Sequence, residues 1–277
     1  MKNMKILLRG IALCLGAFTG IVFAANTAGE VILITGHGTA SSADGAVRGL
    51  AKGGAIYSGD IVSSGPNSYV NLKFVDGGFI LLRPNSRFQV EDFHYSAPEP
   101  AAQKPKRPAS PANAKSAPPP LVETQQASAS VASRAFFSLL KGGFRAVSGL
   151  IGHVDRAEYR MSTPVATIGI RGTDYLAIVC DEDCSNDPSI TDHIPPGSTV
   201  SGGIVVGDIG GGVFVQNHAG KCSVATEPPD PACQGGVNLG PDQYLVNLPD
   251  GTQVMLPGEP HFLLVNPIPN PAAICPN

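Results

Sequence analysis

The amino-acid sequence predicts an all-β protein, with many short strands folded into a roll or irregular solenoid-like domain that a disordered linker interrupts. Three observations carry that expectation. The 277 residues include 33 glycines and 25 prolines, a density of turn formers that suits short strands and leaves little room for long helices. Apolar and polar residues alternate with a period of two in several runs. Turn dipeptides stand at the ends of those runs.

Taken in chain order, residues 1–24 read as a secretory signal peptide. Lys2, Lys5 and Arg9 precede an apolar stretch over residues 11–23, and Val22-Phe23-Ala24 supplies the small-residue ending that signal peptidase cuts. A retained membrane anchor is the alternative, but Gly16 and Gly20 interrupt a stretch that is already short. The leader takes three of the 19 Lys and Arg residues and none of the 22 Asp and Glu, leaving 16 against 22 and a formal charge of −6. That excess of acid argues against a nucleic-acid partner. No later stretch has the uncharged length to cross a bilayer, so a periplasmic or secreted chain without a transmembrane anchor after signal cleavage is expected.

Residues 29–95 form the first part of the β domain. Val70, Leu72 and Phe74 alternate with Asn71 and Lys73, and Asp76-Gly77-Gly78 turns the chain into Phe79–Leu82, which makes a hairpin. Phe88 and Val90 then alternate with Arg87, Gln89 and Glu91. Over residues 96–130 the composition shifts to Ala, Pro, Ser and Gln with Lys104, Lys106, Arg107 and Lys115 among them, the pattern of a disordered linker.

Residues 131–217 resume the β domain. Residues 136–140 are strand-like, Gly142-Gly143 punctuates them, and residues 144–151 fit a strand or a short helix. Residues 165–179 read as one nearly continuous strand broken by Gly169 and Gly172, followed by strands over 204–206 and 213–215. A β-rich C-terminal extension, residues 218–277, holds a hairpin that turns at Asp250-Gly251.

Five cysteines follow the leader. In an oxidising compartment the close pairs Cys180/Cys184 and Cys222/Cys233 suit disulfides, which leaves Cys275 unpaired or forces another connectivity. Zinc is the rival, although the spacings do not suit a paired-cysteine ribbon. The acidic loop offers a calcium alternative through Asp181, Asp183, Asp187 and Asp192, without the glycine an EF-hand needs at its sixth position. The six histidines stand far apart. Nucleophile-elbow, zinc-protease and phosphate-loop motifs are absent from the sequence, so the expectation is a protein that is not an enzyme and takes no cofactor.

Two stretches carry a family resemblance. Gly53-Gly54-Ala55-Ile56-Tyr57-Ser58-Gly59-Asp60, Val75-Asp76-Gly77-Gly78 and Leu82-Arg83-Pro84-Asn85-Ser86 follow one another in the first half. Thr163-Pro164-Val165-Ala166-Thr167-Ile168-Gly169-Ile170-Arg171-Gly172-Thr173-Asp174-Tyr175 stands in the second. In order and spacing they resemble the FecR domain family over residues 29–217. The resemblance implies an extracytoplasmic β domain without turnover. Signalling members relay a message from an outer-membrane receptor to a cytoplasmic sigma factor, through a cytoplasmic segment and a membrane helix that precede the domain. Here a signal peptide stands in that place, which points to a soluble exported member, a binding or sensing component of the envelope whose partner is an envelope protein or glycan.

Two alternatives accompany that reading. Exposed strand edges would suit a structural or adhesive surface module. Gly172-Thr173 would suit self-cleavage, since a threonine hydroxyl can attack the preceding carbonyl when a strained glycine linkage admits it, and some FecR-type regulators cleave themselves at a Gly-Thr bond. The structural expectation for the same segment is that Arg171 and Asp174 pair across the sheet to fix a bulge.

Overall fold

A computed structural model describes residues 26–97, 132–218 and 236–274. The leader, all but two residues of the linker, Cys222, Cys233 and Cys275 lie outside the described residues. The first described segment folds into β1 (Thr27–Ile34), β2 (Gly38–Ser41), β3 (Val47–Gly49), β4 (Ala55–Tyr57), β5 (Ile61–Ser64), β6 (Val70–Phe74), β7 (Phe79–Leu82) and β8 (Arg87–His94). The second gives β9 (Arg134–Lys141), β10 (Gly143–Val147), β11 (Tyr159–Ser162), β12 (Ala166–Ile170), β13 (Asp174–Val179), β14 (Ile204–Gly210) and β15 (Val213–Asn217). The third adds β16 (Gly236–Leu239), β17 (Gln243–Asn247) and β18 (Gln253–Leu256). Four short helices join them: α1 (Leu150–Val154), α2 (Glu182–Ser185), α3 (Pro188–Thr191) and α4 (His261–Val265).

The strands make two nine-stranded sheets, ordered β18-β17-β14-β13-β10-β7-β6-β1-β4 and β16-β15-β12-β11-β9-β8-β5-β2-β3. From β6 onward the chain lays hairpins first on one sheet and then on the other, so both sheets grow in the same direction and neither closes into a barrel. The all-β, roll-like expectation is met. Pairing is antiparallel throughout except between β9 and β11, where the chain crosses to the other sheet as β10 and returns.

The sheets face each other across an aromatic interior. Phe74 of β6 lies 5.1 Å, centroid to centroid, from Phe137 of β9, and Phe88 of β8 lies 6.1 Å from Phe144 of β10. Tyr159 and Tyr175 reach across from opposite sheets to share a hydrogen bond of 2.9 Å between their hydroxyls. Both phenols are buried, and burial pushes their pKa values well up.

The two sheets differ on their outward faces. In β13, Tyr175 and Ala177 belong to the shared interior, while Leu176 and Ile178 point away from it and are equally buried. Val205 of β14 with Tyr244 and Val246 of β17 extends this second apolar layer. It is roofed by Cys184, Ile190 and Val200 from the α2–α3 connection and by Leu263 and Ile268 around α4. Asn71 Nδ2 donates to Pro271 O at 2.9 Å and Arg145 Nη1 to Ile268 O at 2.9 Å, tying down the roof. This is the covered sheet. The open sheet keeps the simple alternation, buried and exposed in turn, as β15 does.

Three sequence expectations need correction. Residues 165–179 are two strands, because the chain leaves the open sheet after Ile170 and enters the covered sheet at Asp174. Gly172, at φ 78°, permits that crossing, whereas Gly169 lies inside β12 opposite Phe214 and breaks nothing. Residues 144–151 divide into the end of β10 and the start of α1. The Cys180–Cys184 disulfide is present, but the acidic loop forms two short helices, α2 around Cys184 and α3 beyond it.

Candidate functional site

Motif residues from the two halves of the chain meet around α1. Asp76 stands in the β6–β7 turn, which Gly77 closes with φ 87°. Its carboxylate accepts from Gly78 N at 3.0 Å and Ile151 N at 3.4 Å, and its carbonyl accepts from Leu150 N at 3.0 Å. Burial raises the Asp76 pKa above its ordinary 3.8 while those N–H groups oppose the rise. Gly149 passes so close that a Cβ there would stand 2.3 Å from the carboxylate.

From the second half, Thr173 N donates to Ser148 Oγ at 2.9 Å and Ser148 N donates to Thr173 O at 3.0 Å. Gly172 packs on the His153 ring, where a Cβ would come within 2.4 Å of Nδ1. Ser148, Gly149 and His153 had no sequence signal, because a single turn of helix is too short to show a period.

Thr173 is buried, and its Oγ1 donates to Asp208 Oδ1 at 2.9 Å, with Gly210 O also within reach. Asp208 has no exposed surface and accepts further from Gly210 N and Gly212 N, each at 3.0 Å. Burial raises its pKa, and its three donors act against the rise. The register does shift between Asp174 and Tyr175, so the expected bulge exists. It is not fixed by Arg171, however. Asp174 takes a two-pronged bond from Arg145 Nε and Nη2, both 2.8 Å, and a third from Asn270 Nδ2 at 3.2 Å, whereas Arg171 reaches out to Asn238 Oδ1 at 3.3 Å. Arg145 reaches Asp174 diagonally from the adjacent strand β10, where Val147 is the residue directly opposite.

The remaining motif residues brace turns. Buried Asp60 accepts from both Arg48 Nη atoms and from Tyr57 N at 2.7 Å, and this partner raises the Arg48 pKa. Ser86 Oγ donates to Gly143 O and accepts from Gly143 N, both 2.9 Å, joining the turn after Pro84 to the β9–β10 corner. Thr163 Oγ1 donates to Ala166 O at 2.7 Å and accepts from Ala166 N at 3.0 Å, closing the turn that holds Pro164. Arg83 differs from all of these. It is buried, its guanidinium lies 5.9 Å from the Phe262 ring centroid, and its Nε has no hydrogen-bond acceptor.

Two of the four carboxylates of the calcium alternative are taken up by helix capping. Asp181 caps α2 by accepting from Asp183 N at 3.2 Å. Asp187 caps α3 through Ser189 N at 2.9 Å and also takes Phe262 N at 2.7 Å, which holds α4 in place. Its burial is outweighed by these donors, and its pKa is lowered. No cluster of three or more His, Cys, Asp or Glu side chains able to hold a metal gathers among the described residues.

The outer side of α1 forms the most apolar of the open grooves described, with a volume of about 300 Å³. One wall is Leu150 and Val154, one helical turn apart and 50% and 83% exposed. The other is Tyr95 and Ala132, and Asp155 adds a carboxylate at the rim. Ser96 N donates to Ser133 Oγ at 3.0 Å and fixes that wall. A second cavity of about 340 Å³ lies beside β1, where Lys52, Lys73 and Glu30 make it more polar. No helix among the described residues is long and apolar enough to cross a membrane.

No family model and no curated protein matches the chain. Two crystal structures of a protein from Parabacteroides distasonis ATCC 8503, named there as a candidate anti-sigma factor and solved at 1.65 and 2.50 Å, are similar to it. Each is 10% identical with a TM-score of 0.38 and aligns over 72% of this chain. The chain spans 59% of the length of that protein.

Proposed function

We propose that this chain is an exported, non-catalytic binding or sensing component of the cell envelope, built on a FecR-like domain. The observation that carries the reading is the groove along α1, where two large aliphatic side chains stay exposed on a helix that both halves of the motif hold rigidly. Its apolar walls favour an envelope protein that presents aliphatic or aromatic side chains over a glycan. The test is capture from an envelope extract by the chain without its leader, beside a Leu150→Asp/Val154→Asp variant. Retention of one protein by the wild type and not by the variant supports the reading. Equal recovery by both, or enrichment of glycan alone, overturns it.

Thr173 favours a second reading. Its hydroxyl lies 2.9 Å from a buried carboxylate whose raised pKa makes it the better base, next to a glycine in a left-handed conformation. In self-cleavage Oγ1 would attack the Gly172 carbonyl carbon as Asp208 takes the proton. The C–N bond would then break with that proton passing to the Thr173 nitrogen, and water would hydrolyse the resulting ester. Intact mass decides: two fragments that merge into one uncut chain in Thr173→Ala support cleavage, and a single uncut wild-type species removes it. The adhesive reading, from the end strands β3, β4, β16 and β18, calls for light scattering that grows with concentration.

A further inference from the structure

Arg83 is a cation without a counterion. Only 8% of the residue is exposed, its Nε is a buried donor with no acceptor, and no carboxylate lies within ion-pair distance of it among the described residues. Its backbone is fully engaged, since Arg83 N donates to Gly143 O at 2.9 Å and Arg83 O accepts from Ser64 Oγ at 2.5 Å. The side chain is therefore held in register while its charged end is left over.

The surroundings are apolar. The stem runs over Gly143, where a Cβ would lie 3.2 Å from Arg83 Cδ and 2.7 Å from Ile178 Cγ1, so only glycine leaves it room. Phe262 of α4 covers the guanidinium. A buried, unpaired guanidinium is costly, and a ring face offsets only part of that cost. Other arginines show what is missing: Arg145 on the covered sheet has Asp174, and Arg48 on the open sheet has Asp60.

We propose that Arg83 is the anchor of an oxyanion-binding site at the seam between the β7–β10 corner and α4, and that its ligand is a carboxylate or phosphate group. Nε is sealed in, so the residue's remaining exposure lies at the Nη end, whose two N–H groups present the fork that such oxyanions accept. Dry walls strengthen the bond beyond its value in open water. The site is independent of the groove along α1.

The test is a titration of the wild-type chain with sodium phosphate, and separately with sodium acetate, against sodium chloride at matched ionic strength. The arginine ¹H–¹⁵N ε resonances are followed, and the unfolding midpoint is measured in parallel. A saturable shift of the Arg83 Nε–H signal supports the site, with an unfolding constant lowered about elevenfold at ten times the dissociation constant. Saturation by both anions assigns general oxyanion recognition, and saturation by phosphate alone assigns a phosphate group. Arg83→Gln removes the stabilisation, and Arg83→Lys, which keeps the charge but loses the fork, retains only part of it. An Arg83 signal that neither anion moves overturns the proposal without any variant, as does equal stabilisation of wild type and Arg83→Gln.

Discussion

The covered sheet and the open sheet share one interior, yet they solve the problem of their outward faces differently. In the open sheet the outer side chains are laced to one another. Arg160 lies 4.3 Å above the Phe136 ring and 3.8 Å from Glu91, Glu91 accepts from Ser138 Oγ at 2.5 Å, and Thr167 Oγ1 meets His218 Nε2 at 3.0 Å. In the covered sheet the corresponding positions are Leu176, Ile178 and Val205, and they need a roof. The contrast teaches that an unbroken apolar run such as β13 announces two buried faces, and an alternating one such as β15 announces a single buried face.

The largest expected effect tests the interior that both sheets share. Phe137→Ala, at the centre of the aromatic cluster, should cost about 3–5 kcal/mol in urea unfolding. A loss below about 1 kcal/mol would mean the sheets do not share a core there. Next comes a direct contrast of outward faces. Leu176→Asp should destabilise by about 3 kcal/mol or more, because it places a carboxylate beneath the roof, and Thr167→Asp should change stability by less than about 0.5 kcal/mol. Similar losses at the two positions would erase the distinction.

Smaller effects sharpen it. Replacing Cys180 and Cys184 with alanine should cost about 2 kcal/mol by loop-closure entropy and speed amide exchange across residues 181–203 while β8 and β9 stay protected. The pH dependence should belong to the covered sheet, whose turn and bulge hold Asp76 and Asp208 with raised pKa values. As pH rises through the ordinary carboxylate value, the unfolded chain releases these protons first, so stability present below that value is lost as pH climbs through the higher folded values. Asp76→Asn should flatten that decline in urea midpoints followed across the acid range, and an unchanged slope would remove Asp76 as a source. Smallest of all, Asp92→Asn breaks an exposed pair with Arg134 at the rim of the open sheet and should leave the thermal midpoint where it was.

Much of this architecture was legible in the residues. The β6–β7 hairpin follows from alternation and the Asp76-Gly77-Gly78 turn, and the Cys180–Cys184 bond follows from spacing. The division of residues 165–179 was hidden, because an apolar stretch that changes sheets has the same composition as one that stays. In β8, Val90 and Phe93 both face inward although three residues apart, since a bulge at the intervening positions shifts the register, and no period of two can reveal that. The groove and the Arg83 seam were less visible still. Leu150 and Val154 span a single helical turn, and Arg83 meets Phe262 only because the chain returns across the sheet after β18.

The roof over the covered sheet also bears on how the chain is made. β13 and β14 leave the ribosome before any of β15 to β18, and α4 comes after all of them. Through that interval the flank formed by Leu176, Ile178 and Val205 has only the α2–α3 connection to shelter it. A nascent chain with such a flank is open to premature association with its neighbours, so a stall or truncation before α4 should be far more aggregation-prone than one of equal length taken from the other end.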